Sequence, residues 1–281
     1  MQGTALGPDP TGGPVLRRIY ESYVEAARSA GLPVILGTPT FRASLNFVRQ
    51  AGLGEAETVR LLNADAVAMH REIRDSSNYG PVYIAGVIGP SEDAYLPEEA
   101  LPARRAHEYH GLQAETLARS GVDFLYAPTF PKVEEALGAA MAMGDTGLPY
   151  VVSFVLERDG RVLDGTPLHK AIERIDAAAS PAPLFYSISC VHPSIAAKAL
   201  RDEAAFSGLA ARRLNELKAN ASPLSPAELV QLDHPEGDDA ERFAAEMWEI
   251  HEEFGLRVLG GCCGTDDRYM RALADRMAAA G

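Results

Sequence analysis

The residues of this chain best suited to chemistry are its three cysteines, the only ones among 281 residues. Cys262 and Cys263 are adjacent in VLGGCCGTDD, directly after an apolar stretch, and Cys190 ends the apolar stretch LFYSISC. Gly260 and Gly261 give the backbone freedom to turn both adjacent thiols towards one point. Three thiolates bind zinc well and leave its fourth tetrahedral position open. The sequence therefore predicts a zinc site with Cys190, Cys262 and Cys263 as its ligands.

Two alternatives stay open at this stage. Free cysteines are often small buried hydrophobic residues, which is the simpler interpretation of Cys190 taken alone. His192 could close the site as a fourth, structural ligand, although its spacing from Cys190 is better suited to a place beside the ligands. A zinc hydrolase or lyase would hold water at the open position, but no acid or base partner stands near the cysteines in the sequence.

Short apolar segments alternate with amphipathic segments along the whole chain. Nearly continuous apolar strands separated by helices indicate parallel strands buried on both faces. The number of such units favours an α/β fold, a (β/α)8 TIM barrel, over an open doubly wound sheet, whose Gly-rich phosphate turn is absent. The predicted strands cover residues 33–40, 82–90, 123–129, 150–157, 184–190, 216–220 and 256–261.

A closed barrel needs eight strands, and the sequence predicts seven. The first strand is the missing one: residues 1–13 supply a poor substitute, the barrel is open there, or the chain begins late. We expect a single barrel domain over residues 1–281, with an irregular segment at 1–13. A turn-rich loop insertion at 222–239 is either a lid or a plain surface loop.

Polar residues at the predicted strand ends are candidate substrate contacts, because barrel active sites lie in the loops that follow the strands. Thr38 and Arg42 follow the first predicted strand, Thr129 ends the third, and Ser153 lies in the fourth. The Arg42 guanidinium could bind a carboxylate through two hydrogen bonds. The alternative is that the hydroxyl groups are satisfied locally and that Arg42 is paired at the surface.

Composition and charge limit the classes of partner and the location that we expect for this protein. The formal net charge is −13 and no basic stripe is present, so the sequence predicts no nucleic-acid partner. No apolar run approaches the roughly 20 residues of a membrane helix, and no secretion signal is visible. An odd number of cysteines is a poor disulfide framework, so we predict a reducing, cytoplasmic location. An oligomer is compatible with these features.

His107 and His110, in one predicted helix, are expected on a solvated face.

Several motifs together resemble the homocysteine S-methyltransferase family, over the chain from about Val15 to its end. The most specific are GGCCGT near the C-terminus and the upstream strand ending SISCVHP; TPTFRAS, AGVIGP and DGTPLHKAI are similar to further family segments. The resemblance implies a (β/α)8 barrel in which Cys190, Cys262 and Cys263 bind zinc. It also implies methyl transfer to a small-molecule thiol, in methionine biosynthesis.

Two departures from the family pattern bear on the substrates. The family begins with a strand ending Asp-Gly-x-x-Gly-Thr, of which only GTAL at 3–6 is similar. Pro128 stands where the family has a glutamate that binds the amino group of homocysteine, which leaves the acceptor open between homocysteine and a related thiol or selenol. Folate-dependent members carry extra domains, so the resemblance favours a sulfonium donor, S-methylmethionine or S-adenosylmethionine. A non-catalytic zinc- or thiol-binding barrel is the alternative function.

Overall fold

A computed structural model of the chain describes residues 12–202, 206–224, 228 and 236–280. The predicted alternation of strands and helices is present throughout. The strands are β1 (Val34–Gly37), β2 (Val82–Val87), β3 (Phe124–Phe130), β4 (Tyr150–Phe154), β5 (Phe185–Val191), β6 (Leu214–Ala219) and β7 (Val258–Gly261). The helices are α1 (Gly12–Ala30), α2 (Leu45–Gln50), α3 (Ala56–Ser77), α4 (Ala103–Ser120), α5 (Val133–Gly144), α6 (Leu168–Ala178), α7 (Pro193–Asp202), α8 (Ala211–Arg213), α9 (Ala240–Phe254) and α10 (Asp267–Ala280), with a π-helical turn, Phe206–Ala210, before α8.

The seven strands form one parallel sheet in the order β1 to β7. The sheet is curled, as the contacts of Tyr126 on β3 across the inner face show. The Tyr126 hydroxyl lies 3.1 Å from Ser189 Oγ on β5, and the Tyr126 ring centroid lies 4.9 Å from Lys218 Nζ on β6. Within the described residues β7 does not pair with β1, and α1 packs against α10 on that side. The predicted barrel-type fold is confirmed, with seven strands in the part that the structure describes.

Two apolar layers hold the sheet. Its outer face packs against the helices through residues such as Leu125, Val152 and Ile188. Its inner face carries a smaller apolar cluster that includes Val87, Tyr126 and Val151. Burial of apolar side chains on both faces explains why the strands are continuously apolar in sequence.

Some predictions fall partly or wholly outside the described residues. Residues 1–11 of the predicted irregular segment lie outside them, whereas Gly12 and Gly13 belong to α1. Most of the predicted loop insertion 222–239 also lies outside, apart from 222–224, 228 and 236–239. Among the helices of the described ranges, none has the length and apolar character needed to cross a membrane.

The prediction of a solvated face for His110 is wrong. His107 is partly exposed and contacts Asp145, but His110 is fully buried and its Nε2 lies 3.1 Å from Glu135 Oε1 on α5. The two helices α4 and α5 pack closely along this face. Residues three apart share a helix face only approximately, and here the packing seam runs between them.

A second buried histidine predicts how the stability of the fold depends on pH. His70 on α3 lies 3.1 Å from Ala66 O through Nδ1 and 3.2 Å from Gly37 O through Nε2. Burial lowers its pKa to about 4, against roughly 6.5 in an unfolded chain. The unfolded chain therefore gains a proton before the folded chain does, and stability present above pH 6.5 is lost as the pH falls to about 4.

We expect this histidine to remove about 3 kcal/mol of the unfolding free energy between pH 7 and pH 4. Denaturant unfolding of wild type and His70→Gln over this range measures it, because glutamine does not titrate. The difference between the two stabilities should shrink as the pH falls. A difference that stays constant with pH would contradict the assignment.

Candidate metal centre

The three cysteines lie at the carboxyl ends of β5 and β7, where barrel active sites form. Cys190 has a φ of 59°, a left-handed conformation that is uncommon outside glycine. At the same point the β5–β6 register shifts between Ser189 and Val191. The resulting bulge re-aims the Cys190 side chain. Cys262 follows the last residue of β7, and its N–H donates to Ala219 O at 2.7 Å.

The fold brings all three sulfur atoms together. Cys190 Sγ lies 2.7 Å from Cys262 Sγ and 3.6 Å from Cys263 Sγ, and all three lie within 4.8 Å of one another. Tetrahedral zinc with bonds of about 2.3 Å holds its sulfur ligands roughly 3.8 Å apart. Cys190 and Cys262 are partly buried, and Cys263 is exposed. The donor set suits one thiophilic metal ion with access from solvent, provided that Cys190 and Cys262 separate by about 1 Å when it binds.

Hydrogen bonds among the three thiols favour the thiolate at Cys263 over the other two. Hydrogen bonds from Cys190 and Cys262 lower the pKa of Cys263 to about 3, against the effect of burial. A hydrogen bond from Cys190 also lowers the pKa of Cys262, but its bond to Cys263, burial and the neighbouring charge outweigh this and raise the pKa to about 12. Hydrogen bonds to Cys262 and Cys263 likewise raise the pKa of Cys190. A cationic metal replaces these thiol protons as the stabilising charge.

The segment after β6 fixes the vicinal pair. Asn220 Oδ1 accepts the N–H of Cys263 at 3.1 Å, and Asn220 N–H donates to Val191 O, next to Cys190, at 2.9 Å. Ala221 N–H donates to Cys263 O at 3.0 Å. The segment directly after β6 thus connects the ends of β5 and β7, which carry the cysteines.

The glycines before the pair serve a different purpose from the one predicted. Neither Gly260 nor Gly261 has a positive φ; Gly264 does, at 79°. A Cβ at position 261 would lie 2.1 Å from Thr265 Oγ1 and 2.8 Å from Met270 Cε. Gly261 is required because the first turn after β7 folds back against the strand end.

Tyr95, which the sequence reasoning missed, lies beside the sulfur atoms. Burial raises the pKa of its hydroxyl, and the charges of Cys190 and Cys263 raise it further. Its loop, between β2 and α4, is held by the buried pair His110–Glu135, because Glu135 Oε1 accepts the N–H of Ser91 at 2.7 Å. Only the fold could show that this loop covers the cysteines.

The inner face of the barrel carries charged and polar groups below the cysteines. Glu216 on β6 is almost fully buried, and its Oε2 has no hydrogen-bond partner. Burial raises the pKa of this carboxyl, and Lys218 and Ser187 oppose the rise. Among the described residues Lys218 makes no ion pair; it lies over the Tyr126 ring and close enough to Cys262 to affect its charge. A carboxylate and an ammonium group thus face the barrel interior without neutralising each other directly.

The four predicted substrate residues have different surroundings. Thr38 Oγ1 accepts the N–H of Val87 at 2.9 Å, and Thr129 Oγ1 donates to Pro128 O at 2.7 Å, so both hydroxyl groups already have partners. Ser153 is buried on the inner face and contacts Ser189. Arg42 makes no ion pair in the described residues; its guanidinium lies 5.0 Å from the Phe47 ring, and its buried Nε has no partner.

His192 is not positioned as a fourth ligand. The N–H of Ser194 donates to His192 Nδ1 at 3.2 Å, so the imidazole proton is on Nε2, which lies 2.9 Å from Asp238 Oδ2. His192, Asp238 and Glu246 lie close together, but Arg242 is within ion-pair distance of both carboxylates. This second cluster is therefore a hydrogen-bonded ion-pair network.

Fold and site together define a parallel β/α barrel with a three-cysteine centre at the carboxyl ends of its strands. The sequence model of the homocysteine S-methyltransferase family matches residues 4–277, and the chain belongs to this family. Bovine (Bos taurus) betaine–homocysteine S-methyltransferase 1 is 24% identical over 276 residues, covering 94% of this chain and 64% of that protein. The chain thus spans somewhat less than two thirds of that relative's length.

Two further relatives are similar over nearly the whole chain. Mouse (Mus musculus) S-methylmethionine–homocysteine S-methyltransferase BHMT2 is 26% identical over 277 residues, covering 94% of this chain and 69% of that protein. The metallated form of the homocysteine methyltransferase MmuM from Escherichia coli superposes with a TM-score of 0.76 at 20% identity, covering 97% of this chain and 86% of that one. This structural likeness shows the shared fold.

Proposed function

We propose that this protein is a zinc-dependent S-methyltransferase that moves a methyl group from a sulfonium donor to a thiol. The observation that carries the proposal is the convergence of the sulfur atoms of Cys190, Cys262 and Cys263, which are every cysteine of the chain, within 4.8 Å at the barrel rim. Membership of the family supports the same reaction class. The proposed setting is the cytoplasm, in methionine biosynthesis.

The chemistry follows from the charge of the centre. Cys190, Cys262 and Cys263 would hold zinc as thiolates, with a net charge of about −1, and such a centre would lower the pKa of an acceptor thiol and keep its sulfur electron-rich. The new S–C bond forms as the donor S–C bond breaks; the donor leaves as a neutral thioether, and the acceptor proton passes to solvent. The Tyr95 hydroxyl interacts with Cys190 beside the position that the acceptor would take.

The donor and the acceptor are proposed from charge. The names of the relatives specify betaine and S-methylmethionine, both of which carry the methyl group on a cationic atom. We favour S-methylmethionine over S-adenosylmethionine because no Gly-rich adenosine-binding turn is evident. The acceptor is homocysteine or a related thiol or selenol, with Arg42, Thr38, Thr129 and Ser153 as proposed contacts.

Zinc-loaded protein should be assayed with S-methylmethionine and S-adenosylmethionine against homocysteine and a panel of simple thiols. Formation of the methyl thioether by mass spectrometry, dependent on zinc, would support the proposal. One zinc per chain without transfer to any thiol would instead favour the non-catalytic binding protein.

The charges on the inner face predict how the acceptor is selected. We expect Lys218→Met to raise the KM for a thiol that carries a carboxylate by about tenfold or more, because a lost hydrogen bond to a charged group costs roughly 1.5–3 kcal/mol. The KM for a thiol of the same length without the carboxylate should not change. Steady-state kinetics with homocysteine and 3-aminopropanethiol measures the contrast.

Lys170→Met is the matched control, because Lys170 is an exposed lysine on α6 paired with Glu173. It should leave both KM values unchanged. Equal increases for both thiols in Lys218→Met would show that Lys218 acts through the cysteines or the fold rather than on the carboxylate.

A further inference from the structure

The cluster around His192 connects the parts of the chain that carry the cysteines. His192 is two residues beyond Cys190, immediately before α7, and is almost fully buried. Its Nδ1 accepts from the N–H of Ser194, which leaves the proton on Nε2. Nε2 donates to Asp238 Oδ2 at 2.9 Å. The imidazole is thus fixed in one orientation by a contact on each side.

Asp238 extends this connection to the vicinal pair. Its backbone N–H donates to Ala221 O at 2.9 Å, and the N–H of Ala221 donates to Cys263 O at 3.0 Å. Its own carbonyl accepts from the Tyr269 hydroxyl on α10 at 2.7 Å. Asp238 therefore contacts the end of β5, the end of β6 and the helix that follows the cysteine pair.

This connection matters because the backbone of Cys190 has a strained conformation. Its left-handed φ of 59° and the bulge beside it are conformations that persist only when surrounding contacts hold them. His192, two residues beyond Cys190, is anchored on both sides of its ring. Loss of its bond to Asp238 would free the end of β5 to move away from Cys262 and Cys263.

We propose that His192 is a positioning residue that, through Asp238, sets the distance between Cys190 and the vicinal pair and thereby the metal affinity of the centre. The inference rests on the proposed metal centre but not on methyl transfer. Partners outside the ligand set typically change metal affinity 10–100-fold when they are removed.

The test compares His192→Leu, which removes both ring contacts, with His192→Gln, whose amide N–H can still donate to Asp238. Zinc affinity is measured by competition with a chelator, and site geometry by the visible absorption of the cobalt(II)-substituted protein. We expect His192→Leu to weaken zinc binding about tenfold or more and to alter the cobalt spectrum. His192→Gln should restore both towards wild type.

Two further variants keep the test decisive. Asp238→Ala removes the same hydrogen bond without emptying the buried space of the imidazole, so it applies even if His192→Leu does not fold. His107→Leu removes a partly exposed histidine of α4 that makes the same kind of contact, with Asp145 at the end of α5, and is the matched control. Wild-type zinc affinity and cobalt spectrum in folded Asp238→Ala would overturn the proposal.

A readout without metal separates this proposal from the proposed function. In metal-free protein, the rate at which hydrogen peroxide joins Cys190 to Cys262 reports how closely the thiols are held. We expect slower disulfide formation in His192→Leu and Asp238→Ala than in wild type or His107→Leu. Equal rates in all four would overturn the proposal, whereas zinc binding without methyl transfer in wild type would count against the proposed function alone.

Discussion

Cys262→Ser is expected to lower zinc affinity by at least about 100-fold and to abolish methyl transfer. A zinc site worth roughly 10–16 kcal/mol over four ligands loses about 3 kcal/mol or more with one thiolate. The serine hydroxyl cannot replace it, because it stays protonated at neutral pH. Cys262 also lies closest to Cys190, so its loss removes the shortest contact of the trio.

The measurement is zinc content per chain after gel filtration, with chelator competition for the affinity. Cys190→Ser and Cys263→Ser should behave alike, since each supplies one ligand. Thermal unfolding in the presence of chelator separates loss of metal from loss of fold. One zinc per chain with unchanged affinity in any of the three variants would exclude that cysteine as a ligand.

The residues around the cysteines argue against a zinc hydrolase or lyase, one of the alternatives that the sequence left open. A zinc hydrolase or lyase needs a group that handles protons next to a metal-bound water. Tyr95, whose pKa is raised, and Lys218 interact with the cysteines in the described structure, and neither is the carboxylate or histidine base typical of such sites. The buried Glu216 carboxyl lies beside Ser187, Tyr126 and Lys218. The barrel interior instead presents a carboxylate and an ammonium group, which suit a charged small molecule.

The convergence of the three cysteines and the order of the strands could be predicted from the sequence because each depends on a local pattern. Buried parallel strands are apolar throughout, and their carboxyl ends meet at one rim, so cysteines at two strand ends converge. The seven strand positions were therefore predictable to within a few residues. The steric need for glycine at position 261 could not be predicted, because Thr265 and Met270 approach this position only after the turn is folded.

Other parts of the site depend on contacts that no local pattern records. Tyr95 reaches the cysteines from a loop more than 90 residues away in sequence, and the His192–Asp238 bond joins segments 46 positions apart. Glu216 and Lys218 lie in a segment, ELKAN, whose apolar residues indicate a strand but do not show which face is the inner one. The burial of His110 depends on where α5 packs against α4.

Oxidation of the metal-free protein is expected to inactivate it completely by joining Cys190 to Cys262. Cys263, whose pKa is lowered to about 3, is the thiolate that peroxide attacks first. The same low pKa makes Cys263 the better leaving group, so exchange ends at the disulfide between Cys190 and Cys262, whose sulfur atoms are 2.7 Å apart against 3.6 Å for Cys190 and Cys263, and Cys263 is released. Hydrogen peroxide takes two electrons and two protons from the pair and becomes two waters, and two of the three proposed ligands are lost.

Intact mass under non-reducing conditions should fall by two hydrogens, one thiol should remain titratable, and a dithiol reductant followed by zinc should restore activity. Zinc-loaded protein should resist the same treatment because its thiolates are engaged. Cys263→Ser is the matched control: it should form the same Cys190–Cys262 disulfide, but more slowly than wild type because it lacks the reactive thiolate. Cys262→Ser can form only the Cys190–Cys263 disulfide, across the longer 3.6 Å distance. A disulfide mapped within the vicinal pair of the wild type would show that Cys190 is not held where the structure places it.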